Sequence, residues 1–557
     1  MVLRWWELLT AMNVLLLYPR FPKTYWSFHG VLELLGRKVL LPPLGLITVA
    51  ALLPAEWSLK LVDCNCREVT EAEWAWADLV IASAMLVQKQ DLAKQIALAK
   101  RTKLPVAVGG PFVSSTPNAP ELLGADYLIL DEGELTIPLF LEAFVRGKTH
   151  GRFTAAGEKP DVATSPIPRF DLLDLPAYSF MAVQFSRGCP FQCEFCDIIV
   201  LYGRKPRTKS PAQLLGELDT LLALGWRGEI FLVDDNFIGN KRNVKALMPA
   251  LLAWQQQRHF PFAFTTEASI DLAADQSLME MMGASGFRRV FLGIETPDQA
   301  SLLGAQKHQN IRSPLVEAVE TITSYGLEVM AGFILGFDGE QAGAGKRIVA
   351  FVEQTAIPLA MLGILQAFPD TALWQRLERE GRLIACQGDF DEGVQTYLLN
   401  FLPTRPMAEI AHEFLSAFAA LYDRSAYMRR VFRYTLKLAE GRQGCRGPRR
   451  QTRAWSQGSG LIRGLFTLIW RQGLRRDTRW LFWRQLVAMA WRHPFHLDDY
   501  LWLLMLNEHF IDYQSIVTTQ IEAQLKSSQF QQLHPGESLG IAQPTALVQT
   551  GELTPAQ

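Results

Sequence analysis

Three thiols, Cys189, Cys193 and Cys196, stand at the spacing CxxxCxxC in the stretch Cys189-Pro190-Phe191-Gln192-Cys193-Glu194-Phe195-Cys196. Thiolates are soft ligands that suit iron–sulfur clusters and zinc. Zinc sites usually show two separated pairs of ligands, whereas a [4Fe-4S] cluster normally takes four cysteines. The next cysteine is Cys386, so no fourth thiol lies close in sequence. A cluster on these three alone leaves one iron open to a substrate or cofactor, which makes the loop catalytic. The alternatives are a structural metal loop or three buried thiols.

Such a loop needs a scaffold. An apolar segment, Met181–Phe185, and a turn, Ser186-Arg187-Gly188, precede it. After it, apolar segments start near Ile230, Phe262, Val290, Val329 and Ala360. Helical patterns such as Pro211–Leu224, Val244–Gln257 and Leu315–Tyr325 alternate with them. Residues 181–385 therefore read as a partial (β/α)6 barrel, whose working residues stand at the C-terminal ends of its strands. Those ends are polar here: Asp234, Asp235 and Asn236 in one, Glu267 in the next, Glu295 and Thr296 in a third. A carboxylate just past an apolar strand suits an ammonium or a ribose hydroxyl. The competing role for Asp235 and Asn236 is a helix N-cap; Glu is a poor cap, which favours a ligand role for Glu267 and Glu295.

Residues 12–150 also alternate strand and helix. Asn13–Tyr18, Leu59–Asp63, Leu79–Ala84, Val106–Val108 and Tyr127–Leu130 read as strands, and Gly45–Leu53, Gln90–Lys100 and Glu134–Val145 as helices. This pattern predicts a doubly wound, Rossmann-like parallel sheet, which binds ligands at the carboxyl ends of its strands. Tyr18, Ser83, Gly109, Gly110 and Glu132 lie at those ends. Gly109-Gly110 lets backbone approach a ligand closely.

The loop CxxxCx(aromatic)C after a strand resembles that of the radical SAM superfamily. That resemblance implies a [4Fe-4S] cluster on Cys189, Cys193 and Cys196, with S-adenosylmethionine on the fourth iron and Phe195 near the adenine. It also maps the methionine amino group to Asp234-Asp235-Asn236, and the ribose and carboxylate to Glu267 and Glu295. The preceding domain, with LPPLGLITVAALLP, AVGGP and DEGE, resembles the cobalamin-binding domain of the cobalamin-dependent radical SAM class. The phrases SRGCPFQCEFCDI, VDDNFIGNK, TEAS and GIETPD look like the subgroup that includes hopanoid C-2 methylases. The resemblance implies a methyl transfer from methylcobalamin to an unactivated carbon, begun by a 5′-deoxyadenosyl radical. It further implies an apolar small-molecule substrate and an electron donor such as flavodoxin or ferredoxin. A radical rearrangement or oxidative cyclisation without methyl transfer is the rival reaction, and a sensor or scaffold the non-enzymatic one. The DxHxxG motif that supplies an axial histidine in other cobalamin proteins is absent, and His29 reads as an ordinary loop residue, so a base-off cobalt is expected.

The rest of the chain bounds these readings. Residues 151–180, punctuated by Pro160, Pro166, Pro168 and Pro176, read as a linker. Residues 386–528 are mainly helical, and residues 529–557 read as a disordered tail. From Arg463 to Arg492 seven Arg and four Trp face a single Asp477. A basic helix with Trp at its flanks predicts peripheral membrane contact; the alternative is a helix packed on the barrel. At 557 residues, 49% apolar, 20% charged and with net charge −1, the composition is globular and does not suggest nucleic acid as a partner. Seven Cys make no disulfide framework, and open thiolates point to a reducing, cytoplasmic compartment. The N-terminus lacks a cleavage pattern, and Met12 reads as a possible natural start.

Overall fold

The computed structural model describes residues 11–116, 123–384, 396–441 and 459–527. Cys386, Cys445 and the tail expected from residue 529 onward lie outside the described residues. The N-terminal sheet has six parallel strands, β1 (Asn13–Tyr18), β2 (Ser58–Asp63), β3 (Leu79–Ser83), β4 (Val106–Gly109), β5 (Tyr127–Ile129) and β6 (Gly151–Phe153), in the order β2-β1-β3-β4-β5-β6. It is covered on both faces, as a doubly wound sheet requires. Alternate residues of β1 go to separate cores, Leu15 and Leu17 to one, Val14 and Leu16 to the other. The sixth strand corrects the linker reading: Gly151–Phe153 pairs in register with Tyr127–Ile129. Three residues between Gly and a polar run are too short to show a period, so only the neighbouring strand reveals them.

The second sheet is the half-barrel. Its strands are β7 (Phe180–Val183), β10 (Gly228–Leu232), β11 (Phe262–Ala268), β12 (Phe287–Glu295), β13 (Glu328–Leu335) and β14 (Ala360–Ile364), all parallel and in sequence order. A small antiparallel ladder of β8 (Ser186–Arg187) and β9 (Arg207–Thr208) flanks the cysteine loop. Side chains of these strands alternate in burial. Val290, Leu292 and Ile294 are sealed under the outer helices, whereas Phe291 and Gly293 are half-buried on the inner face.

The C-terminal region is helical, with Met407–Leu421, Arg424–Gly441, Ser459–Leu468, Arg479–Arg492 and a final helix Leu497–Lys526. That last helix, about 45 Å long, packs along Met407–Leu421 and Arg424–Gly441 and meets the loop after β1. There Tyr25 hydrogen-bonds Tyr422 at 2.6 Å and its carbonyl meets the His509 ring at 3.0 Å. The single basic helix expected from Arg463 to Arg492 is broken. A π-helical stretch, Ile469–Arg475, ends in a turn before Arg479. The cause is specific: Arg476 is extended and grips the buried carboxylate of Glu508 in two bonds, at 2.6 and 2.7 Å, and Gln472 bonds Leu504 and Glu508.

Candidate functional site

The cysteine loop lies where β7 leaves the barrel, and its approach is held by the carboxylates expected to bind S-adenosylmethionine. Asp234 accepts from the Phe185 and Ser186 amides and the Ser186 hydroxyl at 2.7–2.8 Å. Asp235 accepts from the Gly188 amide at 2.9 Å. Asn236 bonds Ser269, and its amide nitrogen lies 3.8 Å from Cys189 Sγ. Asp234 and Asp235 are thus committed first to shaping the loop, a role that sequence could not separate from ligand binding. Gly188 is required there: its φ is +89°, and a Cβ would lie 2.7 Å from the Gly203 carbonyl.

Glu267 differs from both. It points to the inner face with no hydrogen bond to a described residue, and burial, with Asp235 and Asp234 nearby, pushes its carboxyl up to about 8. Burial likewise raises Asp234 to about 7 and Asp235 to about 6. Three acids sharing a desolvated strand edge are a site waiting for positive charge. Glu295, at positive φ on the end of β12, is paired instead with Lys307. Burial works against the Lys307 charge, but Glu295 and then Cys193 hold its ammonium above the ordinary value. Lys307 also lies 5.7 Å over the ring of Phe195, which meets Phe337 edge-on. Gln309 donates to Cys193 Sγ at 3.5 Å. Lys307 and Gln309 were not expected from sequence; they follow GIET by a dozen residues, in a run with no distinctive spacing.

The three thiols fit a cluster. Burial, then mutual repulsion and nearby acids, raises Cys189 and Cys196, so they ionise only against a compensating metal charge. A cluster offers a separate iron to each thiolate. Glu194, inside the motif, pairs with Arg376 at 2.9 Å and pins the loop to the far end of the barrel.

At the other sheet, Ser83 and Gly109 are paired residues of β3 and β4, and Gly110 follows at φ +93°. A Cβ on Gly110 would lie 2.6 Å from Ser83 Oγ and 3.0 Å from the Ala84 carbonyl. A Cβ on Gly109 would likewise lie 3.2 Å from the Ile129 carbonyl, so glycine lets β4 and the turn after it pack closely at this edge, where a doubly wound sheet takes its ligand. Tyr18 ends β1 in register with Asp63, and burial, then the Asp63 charge, keeps its phenol neutral. A cavity of about 540 Å³ opens between this edge and the last barrel loop, with Leu86 and Thr116 on one side and Phe368, Trp374 and Asn400 on the other.

Glu132 is placed otherwise than expected. Its carboxylate is taken by Arg187 at 2.8 Å and Arg207 at 2.7 Å, the two directly paired residues of the β8–β9 ladder. Arg187 also holds Glu134 at 2.8 Å; burial opposes that ionisation, yet Arg187 keeps the acid at about 2. The DEGE motif therefore fastens the N-terminal sheet to the arm that carries Cys189. His29 begins the helix His29–Leu34, which packs against the C-terminal helix Leu497–Lys526.

A doubly wound domain whose open edge faces an open three-cysteine loop on a half-barrel defines a cobalamin-dependent radical SAM enzyme. Family comparison agrees domain by domain. The B12 binding domain matches residues 35–141, the radical SAM superfamily residues 183–352, and a domain of unknown function residues 371–523. An uncharacterized methyltransferase of Synechocystis sp. is 54% identical over 96% of this chain and 98% of its own length. The hopanoid C-2 methylase of Rhodopseudomonas palustris is 36% identical over 90% and 94%. In fold the chain is similar to the methyltransferase TsrM from Kitasatospora setae, with TM-score 0.56, 16% identity and 77% and 95% coverage of the two chains. The same holds for the cobalamin-dependent radical enzyme OxsB, with TM-score 0.54, 16% identity and 92% and 81% coverage. The chain belongs to the cobalamin-dependent radical SAM methyltransferases. Its cofactors are a [4Fe-4S] cluster, S-adenosylmethionine and cobalamin.

Proposed function

We propose that this enzyme methylates an unactivated carbon of an apolar substrate, a lipid, isoprenoid or pigment-like molecule, and meets it at a membrane surface. The observation that carries this reading is the inner face of the half-barrel. Below Glu267 and Glu295 it is lined by Phe291, Met330 and Met361, on neighbouring strands and several residues in from their carboxyl ends. A Cβ on Gly332, between them, would touch the Phe291 ring at 3.0 Å. The N-terminal domain closes the space with Trp26, whose ring meets Phe291 at 5.6 Å and whose N–H donates to Met361 Sδ at 3.1 Å. Arg289, between Glu229 and Glu328, closes the bottom with a fully paired charge. Each methylene buried against such a wall contributes about 0.8 kcal/mol. A polar substrate group without a partner there would cost about 1–3 kcal/mol.

The bound cofactors supply the abstracting radical and the transferable methyl group; the chain supplies order. Cys189, Cys193 and Cys196 would hold the cluster, and Glu267 with the Asp235 edge would take the positive charge of S-adenosylmethionine. The Ser83–Gly110 edge would hold cobalamin, and the Glu132–Arg187 link sets the height of one site against the other. An electron donor such as flavodoxin or ferredoxin would reduce the cluster. The resemblance to a hopanoid methylase, whose substrate is apolar, supports this reading.

The test is incubation of the reduced, reconstituted enzyme with S-adenosylmethionine and fractionated lipid and pigment extract. A methylated apolar product, with 5′-deoxyadenosine and S-adenosylhomocysteine both formed, is expected. Replacing Met361 by Gln should suppress that product while leaving slow uncoupled deoxyadenosine formation. Methylation confined to a water-soluble fraction would refute the apolar reading.

A further inference from the structure

The segment matched by the domain of unknown function carries a surface that neither cofactor explains. In the helix Arg479–Arg492, Phe482, Gln485 and Met489 face inward and are buried. The opposite stripe is Trp480, Arg484, Val487 and Trp491, at spacing i, i+4, i+7 and i+11, which places them on one exposed face. Trp480 is 74% and Trp491 85% exposed, extreme values for the residue with most to gain from leaving water. The preceding arm, the end of helix Ser459–Leu468 and the π-helical stretch after it, repeats the pattern with Phe466, Trp470 and Leu474, all exposed. The two arms pack on each other, with Trp483 donating to the Gly473 carbonyl at 2.8 Å.

The charges are sorted in the same way. Arg476 and Arg471 are bound to Glu508 and belong to the hairpin's framework. Arg475, Arg479, Arg484 and Arg492 are exposed and have no carboxylate partner among the described residues. We infer that this hairpin docks on an anionic bilayer, tryptophans at the headgroup level and these four arginines against lipid phosphates. Trp favours that depth, and each basic residue near an anionic surface gains about fivefold in partitioning at low salt. A second copy fits poorly, because a two-fold contact would set the same arginines against each other. No described helix is long and apolar enough to cross a membrane, so the attachment is interfacial. The inference deepens the proposal of an apolar substrate but is tested without turnover, so either can fail alone.

The experiment is co-sedimentation of the holoenzyme with phosphatidylcholine vesicles, with and without phosphatidylglycerol, at low and high salt. Binding should require the anionic lipid and weaken with salt. Replacing Arg475, Arg479, Arg484 and Arg492 together by Gln should remove the anionic preference. Trp480→Ser with Trp491→Ser should lower partitioning roughly tenfold or more, two apolar side chains being lost to the contact. Arg476→Gln should lower the melting temperature and leave the salt dependence as it was. Three results would overturn the inference: no binding to either vesicle, binding unaffected by the tryptophan pair, or a concentration-dependent dimer abolished by that pair without any lipid binding.

Discussion

The two six-stranded parallel sheets of this enzyme treat their carboxyl edges in opposite ways. The half-barrel crowds its edge with acids, Asp234, Asp235, Glu267 and Glu295, in a desolvated site. The N-terminal sheet carries Ser83, Gly109 and Gly110 at its edge, and the buried acids near it are already taken, Asp63 by Asn65 and Tyr178 and Glu132 by Arg187 and Arg207 of the other domain. The difference suits the ligands proposed for the two edges. A small cation is held by charge at short range, whereas a large macrocycle is held by area, which requires backbone that can be approached. Glu132 and Arg187 join the two domains, so the proposed arrangement is one grip by charge, one by shape and a link between them.

If the grips are independent, each can be removed alone. Converting Cys189, Cys193 and Cys196 to Ala should abolish iron content and all 5′-deoxyadenosine formation while cobalamin affinity stays unchanged; iron content equal to the parent's would refute the cluster assignment. The link should give the next largest effect. Glu132→Ala leaves Arg187 and Arg207 buried and short of a charge, at a cost of about 3–5 kcal/mol in stability. Calorimetry should show that loss, and product analysis should show more deoxyadenosine formed per S-adenosylhomocysteine. Weaker cobalamin binding with stability intact would instead make Glu132 a direct cofactor ligand.

Gly110→Val tests the glycine edge. A side chain at that backbone angle costs about 1–3 kcal/mol and would collide with Ser83 and Ala84, so the edge should shift and cobalamin affinity fall about tenfold with iron content unchanged. Retained affinity, measured by titration of the visible spectrum, would place the cofactor elsewhere. The acidic edge has a pH signature. Glu267 is raised to about 8 when folded, so the folded cofactor-free protein binds a proton that the unfolded chain has released. Its contribution is present below the unfolded pKa and is lost as pH rises through about 8. Glu267 alone should lower stability by about 2 kcal/mol between about pH 6 and 8, with Asp234 adding to the fall below about pH 7, so Glu267→Gln should make the curve shallower; equal slopes would remove Glu267 from the edge. The smallest effect belongs to His29→Ala. Standing on a helix that packs against the C-terminal helix, it should leave the cobalt spectrum untouched, and an altered axial nitrogen coupling would show a ligand after all.

Local pattern determined a great deal of this protein. The spacing of Cys189, Cys193 and Cys196, the alternation that marks both sheets, and the polar residues at strand ends are properties of a few neighbouring residues, set by ligand chemistry and by the two-residue period of a strand. Sequence alone therefore placed the cysteine loop, the acids and the glycines at the carboxyl ends of strands, where the structure has them. It could not decide partners, because a partner is set by where the chain returns. Glu132 reads the same whether it faces a cofactor or Arg187, 55 residues on. Trp26 carries no sign that it will close a barrel whose last strand holds Met361. Arg476 looks like its neighbours Arg475 and Arg479 until Glu508 removes it from the surface and breaks the helix. Desolvation made these choices: a charge or an indole N–H leaving water must find its complement, and only the assembled chain places one within reach.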